Sequence, residues 1–256
     1  MAAEASSVKS AERTARILEL LASSAAPLSV ADLQDRTGYP RSSLHALLRT
    51  LRELRWVDAV ERSSRFTVGP RALLVGTSYL DRDPALPHAY HVLEELRSQL
   101  GHTLHYARRD GAHVLYLASR ESRDSVHLVR RAGRHLPAHA TALGQALLAE
   151  LTTDEVDEVL SYPLERFTEN TITDRDQLHA TLDAVRTRGW ASEREQGTRG
   201  IVCVAVALGY RIPATDALSC SIRADLATPD EVARVAELLQ ERAHQLTTSL
   251  RRAGVR

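Results

Sequence analysis

Residues 28–55 constrain the fold of this chain more than any other stretch. Ser29 and Asp32 stand three positions apart, as the N-cap and N3 residues of a capping box do. Gly38 tolerates the left-handed backbone conformation that often ends a short helix, and Pro40 suits the first turn of the helix that follows. The stretch therefore predicts two short helices joined by a tight turn, which is a helix-turn-helix.

The second of these helices is expected to have two unlike faces. Its apolar side recurs at helical spacing and consists of Leu44, Leu47, Leu48, Leu51 and Leu54. The opposite side carries short polar and charged side chains, namely Ser42, His45, Arg49 and Glu53. Such a face above an apolar one is typical of a helix that reads the major groove of DNA. A solvated helical hairpin would show the same pattern, so a further element is needed to separate the two interpretations.

Residues 56–70 provide that element. Apolar residues lead into a polar turn at 61–64 and then alternate with polar ones, which predicts a β-hairpin. Together with a first amphipathic helix at 9–22, the pattern predicts a winged helix-turn-helix. Arg62 and Arg65 belong to the wing, where contacts with phosphates or the minor groove are expected. The alternative is a winged helix that is used for protein contacts.

Charge is distributed unevenly along the chain. The net charge is zero, which weighs against general binding of polyanions. Residues 1–75, however, contain eleven Lys and Arg against eight Asp and Glu, a net charge of +3, so the remainder carries −3. Within 38–71, seven arginines stand against three acidic residues. The positive charge is therefore concentrated where the DNA-reading helix is predicted.

The remainder of the chain predicts a second, mixed domain. A helix is expected at 71–80, and the prolines of 81–87 predict a domain boundary. Beyond it, 3.6-residue periodicity predicts helices at 88–100, 140–150, 153–160, 174–188 and 229–250. Alternation predicts a hairpin of strands at 103–108 and 113–118, turning at 109–112, and further strands at 125–130, 190–194, 201–208 and 217–223. These elements indicate an α+β fold, with helices packed on one mainly antiparallel sheet.

The sequence lacks the motifs that would indicate several other classes of protein. No apolar run is long enough to span a membrane, no signal peptide is recognisable, and the two cysteines have no CxxC spacing, so a reduced cytoplasmic location is expected. Nucleotide-binding and hydrolase motifs are absent, so we predict no catalytic residue and no cofactor. Spaced histidine pairs, such as His102 and His105, favour core or surface positions over a metal site, so no metal is predicted.

The order of motifs resembles that of the IclR family of bacterial transcriptional regulators. In the first third the resemblance is carried by SAERTARILELLA, LSVADLQDRTGYPRSSLHALLRTLRELRWVD and RFTVGPRALLVG. In the second domain it is carried by GRHLPAHATALGQALLA, NTITDRDQL, RGWASERE, IVCVAVAL and ALSCSI. It extends over about residues 9–250, which is far more specific than the helix-turn-helix alone.

The resemblance implies a domain organisation and a function. A winged helix-turn-helix DNA-binding domain is expected at 1–70, a linker helix and loop at 71–87, and a GAF-like effector-binding and oligomerisation domain at 88–256. The protein would be a repressor that binds a pseudo-palindromic operator as a dimer or tetramer and responds to a small metabolite. An alternative is a small-molecule-binding or enzymatic α/β domain whose winged helix serves only for dimerisation.

The resemblance also implies site residues. The start of the DNA-reading helix is matched by Arg41, Ser42, Ser43 and His45, and the end of the wing by Arg65; Arg49 comes from the helix face itself. The effector pocket would be lined by Leu128, Ala142, Leu143, Glu193, Cys203, Ser219 and Ser221. Departures from the family pattern are Gln145 in place of lysine, Ala46 in place of arginine and Arg199 in place of proline.

A direct interpretation of the pocket residues agrees with this assignment. Small residues at 140–144 are expected to leave room, and unpaired N–H groups at a helix start, for an anionic or hydroxylated ligand. Ser219 and Ser221 lie two apart on a strand, so their hydroxyls point to the same side and can hold a carboxylate or a sugar hydroxyl. We therefore expect a compact polar effector: a sugar, a sugar acid or a short carboxylate.

Overall fold

A computed structural model describes residues 8–61, 63–122 and 132–255. Contacts divide the chain into two compact units, Met1–Arg82 and Asp83–Arg256, called here the N-terminal and C-terminal units. The strand predicted at 125–130 lies outside the described residues.

The N-terminal unit is a winged helix-turn-helix, as the sequence predicted. Its elements in chain order are α1 (Lys9–Ser23), β1 (Leu28–Ser29), α2 (Val30–Thr37), α3 (Arg41–Glu53), β2 (Val57–Ala59), β3 (Arg65–Val68) and α4 (Pro70–Asp81). The three strands pair antiparallel in the order β1-β3-β2. Helices α1 to α3 bury one apolar cluster whose innermost side chains are Ile17, Leu33, Leu44 and Leu48.

Local hydrogen bonds explain where α2 begins and ends. Asp32 N donates to Ser29 Oγ at 3.1 Å, and Ser29 N donates to Asp32 Oδ2 at 2.8 Å, which completes the predicted capping box. Gly38 has φ of 67° and donates its N–H to Gln34 O, so it ends the helix in the left-handed conformation. These contacts fix the direction in which the chain enters α3.

Two expectations about α3 were wrong. Pro40 precedes the helix as its N-cap, with ψ of 137°, instead of lying in the first turn. Leu54 is 57% exposed, because α3 ends at Glu53 and the next residue turns out of the helix before its side chain reaches the core. The buried stripe of α3 therefore consists of Leu44, Leu48 and Leu51, with Leu47 partly buried beside it.

The C-terminal unit has helices on both faces of one sheet. Its elements in chain order are α5 (Leu86–Leu100), β4 (Thr103–Asp110), β5 (His113–Arg120), β6 (His135–Pro137), a 3₁₀ turn (Ala138–Ala140), α6 (Ala142–Leu148), α7 (Thr153–Val159), α8 (Arg175–Arg188), β7 (Ala191–Arg194), β8 (Ile201–Ala207), β9 (Asp216–Arg223) and α9 (Pro229–Arg252). The strand order is β6-β5-β4-β9-β8-β7, and all pairings are antiparallel, as predicted. Helices α5 and α9 pack against the sheet, and α6 contributes to a separate apolar cluster with α7 and α8.

Element boundaries in the C-terminal unit differ from expectation at two places. The helix predicted at 140–150 is shorter, because a 3₁₀ turn precedes Thr141, the N-cap of α6. The hairpin turn predicted at 109–112 consists of only Gly111 and Ala112, since β4 ends at Asp110 and β5 begins at His113. Strand β6 was not predicted.

A buried ion cluster connects the start of α5 to the sheet. The fully buried carboxylate of Asp216 accepts from Arg108 Nε at 2.6 Å and Nη2 at 2.7 Å, and from the hydroxyls of Tyr106 and Tyr210. Arg108 Nη1 also lies 2.8 Å from Asp83 Oδ2. Burial alone would raise the pKa of Asp216, but the bonds from Arg108 and the two tyrosines hold it below its usual value.

Candidate functional site

The polar face of α3 is exposed where the sequence predicted a DNA-reading surface. Arg41, Ser42, His45 and Arg49 are all exposed. Ser43 is half-buried, because Arg13 Nη1 of α1 donates to its Oγ at 3.2 Å. Four of the five predicted α3 residues therefore face solvent, and the fifth joins α3 to α1.

Arg65 has a structural contact that the sequence did not indicate. Its Nη1 donates to Pro27 O at 2.9 Å and to Asp32 Oδ2 at 3.2 Å, so the wing is joined to the capping box of α2. The bonds from Ser29 and the nearby Arg65 hold the pKa of Asp32 below its usual value. Nη1 makes both of these bonds, so Nε and Nη2 of this half-exposed side chain can still meet a phosphate. Arg62 lies outside the described residues.

A cavity of about 80 Å³ opens in the C-terminal unit. Its lining comes from the sheet, the 3₁₀ turn, the start of α6 and two loops, and consists of Tyr116, Arg134, Leu136, Pro137, Ala140, Thr141, Ala142, Leu143, Phe167, Glu193, Gly197, Thr198, Ile201, Cys203 and Ser219. Five of the seven predicted pocket residues are in this set. Ser221 is not part of the lining, and its Oγ lies 3.3 Å from Cys203 Sγ. Leu128 lies outside the described residues.

Strand register explains why distant parts of the sequence meet at this cavity. Glu193 of β7 lies opposite Cys203 of β8, which lies opposite Ser221 of β9. Ser219 lies in the next such row, between Ala205 and His105. Cross-strand partners point to the same face of a sheet, so these side chains share the face that α6 covers.

The small residues at the start of α6 leave room for the backbone of the 3₁₀ turn as well as for the cavity. A Cβ on Gly144 would lie 2.1 Å from Ala138 O and 2.2 Å from Ala138 Cα, so glycine allows the 3₁₀ turn to pack directly on α6. The N–H of Gly144 donates to Thr141 Oγ1 at 3.1 Å and is not unpaired. The expectation that this N–H and the space at Gly144 serve a ligand was therefore wrong.

Two of the described residues that line the cavity are charged, Arg134 and Glu193. Glu193 is 4% exposed, and its Oε2 accepts from Gln196 N at 2.7 Å. The loop that holds Gln196 is fixed in turn by Gln145, whose Nε2 donates to Gln196 Oε1 at 2.8 Å and to His139 O at 2.9 Å. Gln145, which departs from the family pattern, therefore joins the β7–β8 loop to the 3₁₀ turn beside the cavity.

Several lining residues were missed by sequence reasoning. Tyr116 and Ile201 were treated as apolar strand residues, and Phe167 and Thr198 were not considered. Arg134 lies in the quoted motif GRHLPAHATALGQALLA, one residue before a short strand. That position beside the predicted pocket helix was the signal that could have identified it.

The histidine pairs do not converge on a common site. His102 Nε2 lies 2.8 Å from Glu231 Oε1 of α9, whereas His105 Nδ1 lies 2.7 Å from Ser119 Oγ of β5. Over residues 8–61, 63–122 and 132–255, no group of three His, Cys, Asp or Glu side chains is placed to hold a metal ion. Nor does this part of the chain contain a helix with the length and apolar character needed to cross a membrane.

Comparison with known proteins matches both units. A family model described as "IclR helix-turn-helix domain" matches residues 10–61, and one described as "Bacterial transcriptional regulator IclR C-terminal" matches residues 77–248. Among curated proteins, the chain is 30% identical over 245 residues to the HTH-type transcriptional regulator XynR of Escherichia coli strain K12, covering 95% of this chain and 97% of that protein. It is also 30% identical over 241 residues to the HTH-type transcriptional repressor AllR of Klebsiella pneumoniae, covering 93% and 89%.

A solved structure shows the same fold. The crystal structure of an IclR transcriptional regulator from Alicyclobacillus acidocaldarius superimposes with a TM-score of 0.81 at 26% sequence identity. The match covers 95% of this chain and 99% of that one. The similarity therefore extends through both units instead of being confined to the helix-turn-helix.

Proposed function

Because this chain belongs to the IclR family of bacterial transcriptional regulators, we propose that it binds a pseudo-palindromic DNA operator and that a small polar metabolite in the cavity controls this binding. The observation that carries the proposal is the presence, in one chain, of an exposed polar face on α3 and, in the C-terminal unit, of a cavity whose lining includes hydroxyl groups and a carboxylate. The family consists of regulators and not of enzymes, so the enzymatic alternative is set aside. We further propose that the protein is a repressor, as AllR is named.

The DNA-binding surface is proposed to be the exposed face of α3 with the wing. Arg41 and Arg49 are the cations of that face that can reach base edges or phosphates, and Ser42 and His45 lie between them. Ser43, which accepts from Arg13, would fix the tilt of α3. Arg62 and Arg65 would contact the DNA backbone or minor groove from the wing.

The proposed assembly is a dimer or tetramer. A pseudo-palindromic operator presents two equivalent half-sites, so a two-fold symmetric protein matches it. Helix α4 supports this proposal, because it carries a group of exposed apolar side chains that a second copy could cover: Leu73, Leu74, Val75 and Tyr79.

The cavity is proposed to be the effector site, with Leu128 and Ser221 completing the set of Ala142, Leu143, Glu193, Cys203 and Ser219. A sugar, a sugar acid or a short carboxylate matches its hydroxyls, its carboxylate and its small volume. Effector binding would favour one arrangement of the assembly and so change the spacing of its two α3 helices. A coupling free energy of about 1–3 kcal/mol would change operator affinity roughly 5–150-fold.

Replacing Arg41 and Arg49 together by alanine is expected to abolish specific operator binding. Each base-contacting arginine contributes about 1–3 kcal/mol, so affinity for the upstream region of the gene should fall about 5- to 150-fold per residue. Fluorescence anisotropy at several salt concentrations measures the affinity and its salt slope. The control is the double variant Arg199→Ala and Arg223→Ala, which removes the same charge from exposed sites in the C-terminal unit. Specific binding by the α3 variant would contradict the assignment.

Replacing Ser219 and Ser221 together by alanine is expected to abolish the response to effector while operator affinity stays unchanged. The two hydroxyls lie on the cavity face of β9, far along the chain from α3. Release of a labelled operator by the inducing metabolite is the measurement, and Ser98→Ala on the exposed surface of α5 is the control. A normal response in the double variant would show that the pocket is elsewhere.

A further inference from the structure

We propose that the effector is a small organic acid and that Arg134 binds its carboxylate. The inference rests on the proposed function, because it requires the cavity to be the effector site. It narrows the effector class, since a neutral sugar would leave the Arg134 guanidinium without a partner of opposite charge.

The backbone places Arg134 on the cavity face. In the pairing of β5 with β6, Val114 lies opposite Leu136 and Leu115 lies opposite His135. Continued by one residue, this register puts Arg134 opposite Tyr116, and Tyr116 N donates to Arg134 O at 2.8 Å. Cross-strand partners share a face, so Arg134 lies on the same side as Tyr116 and Leu136, which also line the cavity.

Arg134 lines the cavity without a hydrogen-bond or ion-pair partner for its side chain among the residues that the structure describes, a property that it shares with Arg109, which does not line the cavity. The side chain of Arg134 is half-buried, yet it makes no hydrogen bond or ion pair with any residue of 8–61, 63–122 and 132–255. By contrast, Arg186 donates to Ala149 O and Leu151 O, and Arg194 donates to Ala227 O. A guanidinium stays charged and is costly to desolvate unless it is paired. A carboxylate is the partner that its two parallel N–H groups fit best.

The second charged residue of the lining, Glu193, limits how such an acid lies. Glu193 belongs to β7 and Arg134 directly precedes β6, and these strands are the two edges of the sheet. A ligand carboxylate next to Glu193 would be repelled, so it is directed toward Arg134. The carboxylate oxygens of Glu193 accept hydrogen bonds, as Oε2 does from Gln196 N, so ligand groups that face them would be donors such as hydroxyl or ammonium groups. Ser219 can also bond such groups.

The volume limits the size of the acid. A water molecule needs about 10–15 Å³ on the scale in which this cavity measures about 80 Å³. The cavity therefore holds on the order of six water-sized groups, which suits an acid of two to four carbons. The shared chemistry is a short carboxylate with a hydrogen-bond donor on its carbon chain, in the form of either a hydroxy acid or an amino acid.

The test compares probes of matched skeleton on the full chain. D-Glycerate, L-serine and glycerol all have three carbons. The first two carry a carboxylate, L-serine adds an ammonium group, and glycerol has hydroxyls only. Glycolate, which is smaller, and D-gluconate, which is larger, test the limit on size. Thermal shift and isothermal titration at up to 50 mM are expected to show binding of glycolate, D-glycerate or L-serine and none of glycerol. Preference for D-glycerate or for L-serine identifies the donor as hydroxyl or ammonium.

Arg134→Gln is expected to weaken binding of the active acid at least tenfold, and Arg134→Lys to retain part of it. Arg223→Gln, which changes an exposed arginine away from the cavity, is the matched control. The proposal is overturned if glycerol binds as tightly as the acids, if Arg134→Gln binds the acid unchanged, or if none of the acids binds at 50 mM. Operator binding by the wild-type chain and the response of the Ser219→Ala and Ser221→Ala variant, measured in parallel, separate these outcomes from failure of the proposed function, because that function fails if specific DNA binding is absent or if the double variant responds normally.

Discussion

Replacing Gly144 by alanine is expected to destabilise the C-terminal unit by about 3 kcal/mol or more. The added Cβ would lie 2.1 Å from Ala138 O and 2.2 Å from Ala138 Cα. Both are backbone atoms, so no side-chain rotation relieves the clash, and either the 3₁₀ turn or α6 must move. Denaturant unfolding followed by circular dichroism measures the free energy of unfolding.

Gly76→Ala is the control for this substitution. Gly76 lies inside α4, where a Cβ would meet nothing within 4 Å, so alanine should be neutral or should stabilise the helix by up to about 1 kcal/mol. A Gly144→Ala variant within about 0.5 kcal/mol of the wild type would show that the turn and the helix are not packed as described.

Asp216→Asn is expected to destabilise the C-terminal unit by about 3–5 kcal/mol. The carboxylate of Asp216 is fully buried and accepts bonds from Arg108, Tyr106 and Tyr210. An asparagine has the same shape but directs an amide N–H₂ at donors, which leaves the guanidinium without one of its two anions. The control is Asp225→Asn, because Asp225 pairs with Arg223 at the surface and such pairs contribute about 0–1 kcal/mol.

The same variant should also change how stability depends on pH. The pKa of Asp216 is lowered in the folded chain, so its carboxylate stabilises the fold at pH values above about 4, the unfolded-state value. That stabilisation is lost as the pH falls through the folded-state pKa. The difference in unfolding free energy between wild type and Asp216→Asn should therefore be constant near neutral pH and shrink in acid. A difference that does not change with pH would contradict an ionised Asp216.

Features encoded by neighbouring residues were predictable from the sequence. The capping box of Ser29 and Asp32 and the left-handed Gly38 depend on contacts within a few residues, so the helix-turn-helix was recognised and the ends of α2 were predicted. Leu54 shows the limit of periodicity, since its spacing continued the apolar stripe although the helix had already ended. Strand β6 has only three residues, too few to show alternation, and it forms only because β5 pairs with it across the sheet.

The residues of the candidate sites also differ in whether a local sequence pattern could identify them. The exposed residues Ser42, His45 and Arg49 of α3 follow from helical spacing, whereas Arg41 and the pocket residues were identified through motifs that resemble a family. Arg134 was missed because only its place in the motif beside the pocket helix marks it, while the short strand that it precedes shows no alternation. Arg65 was assigned to the wing, but its bond to Asp32 joins residues 33 positions apart, which no local pattern reveals.

Alternate residues of β9 have different roles, because they lie on opposite faces of the sheet. Ser219 and Ser221 point to the cavity face, while Leu218 and Cys220, which alternate with them along the strand, are fully buried and point the other way. Point substitutions at alternate positions can therefore change which metabolite is recognised without altering the residues that hold the sheet to its helices. A deletion of one residue would instead shift the register of the strand, so that cavity-facing and core-facing side chains would change faces. In this strand, new ligand specificity can evolve by substitution, while a change in length sacrifices the fold and the site together.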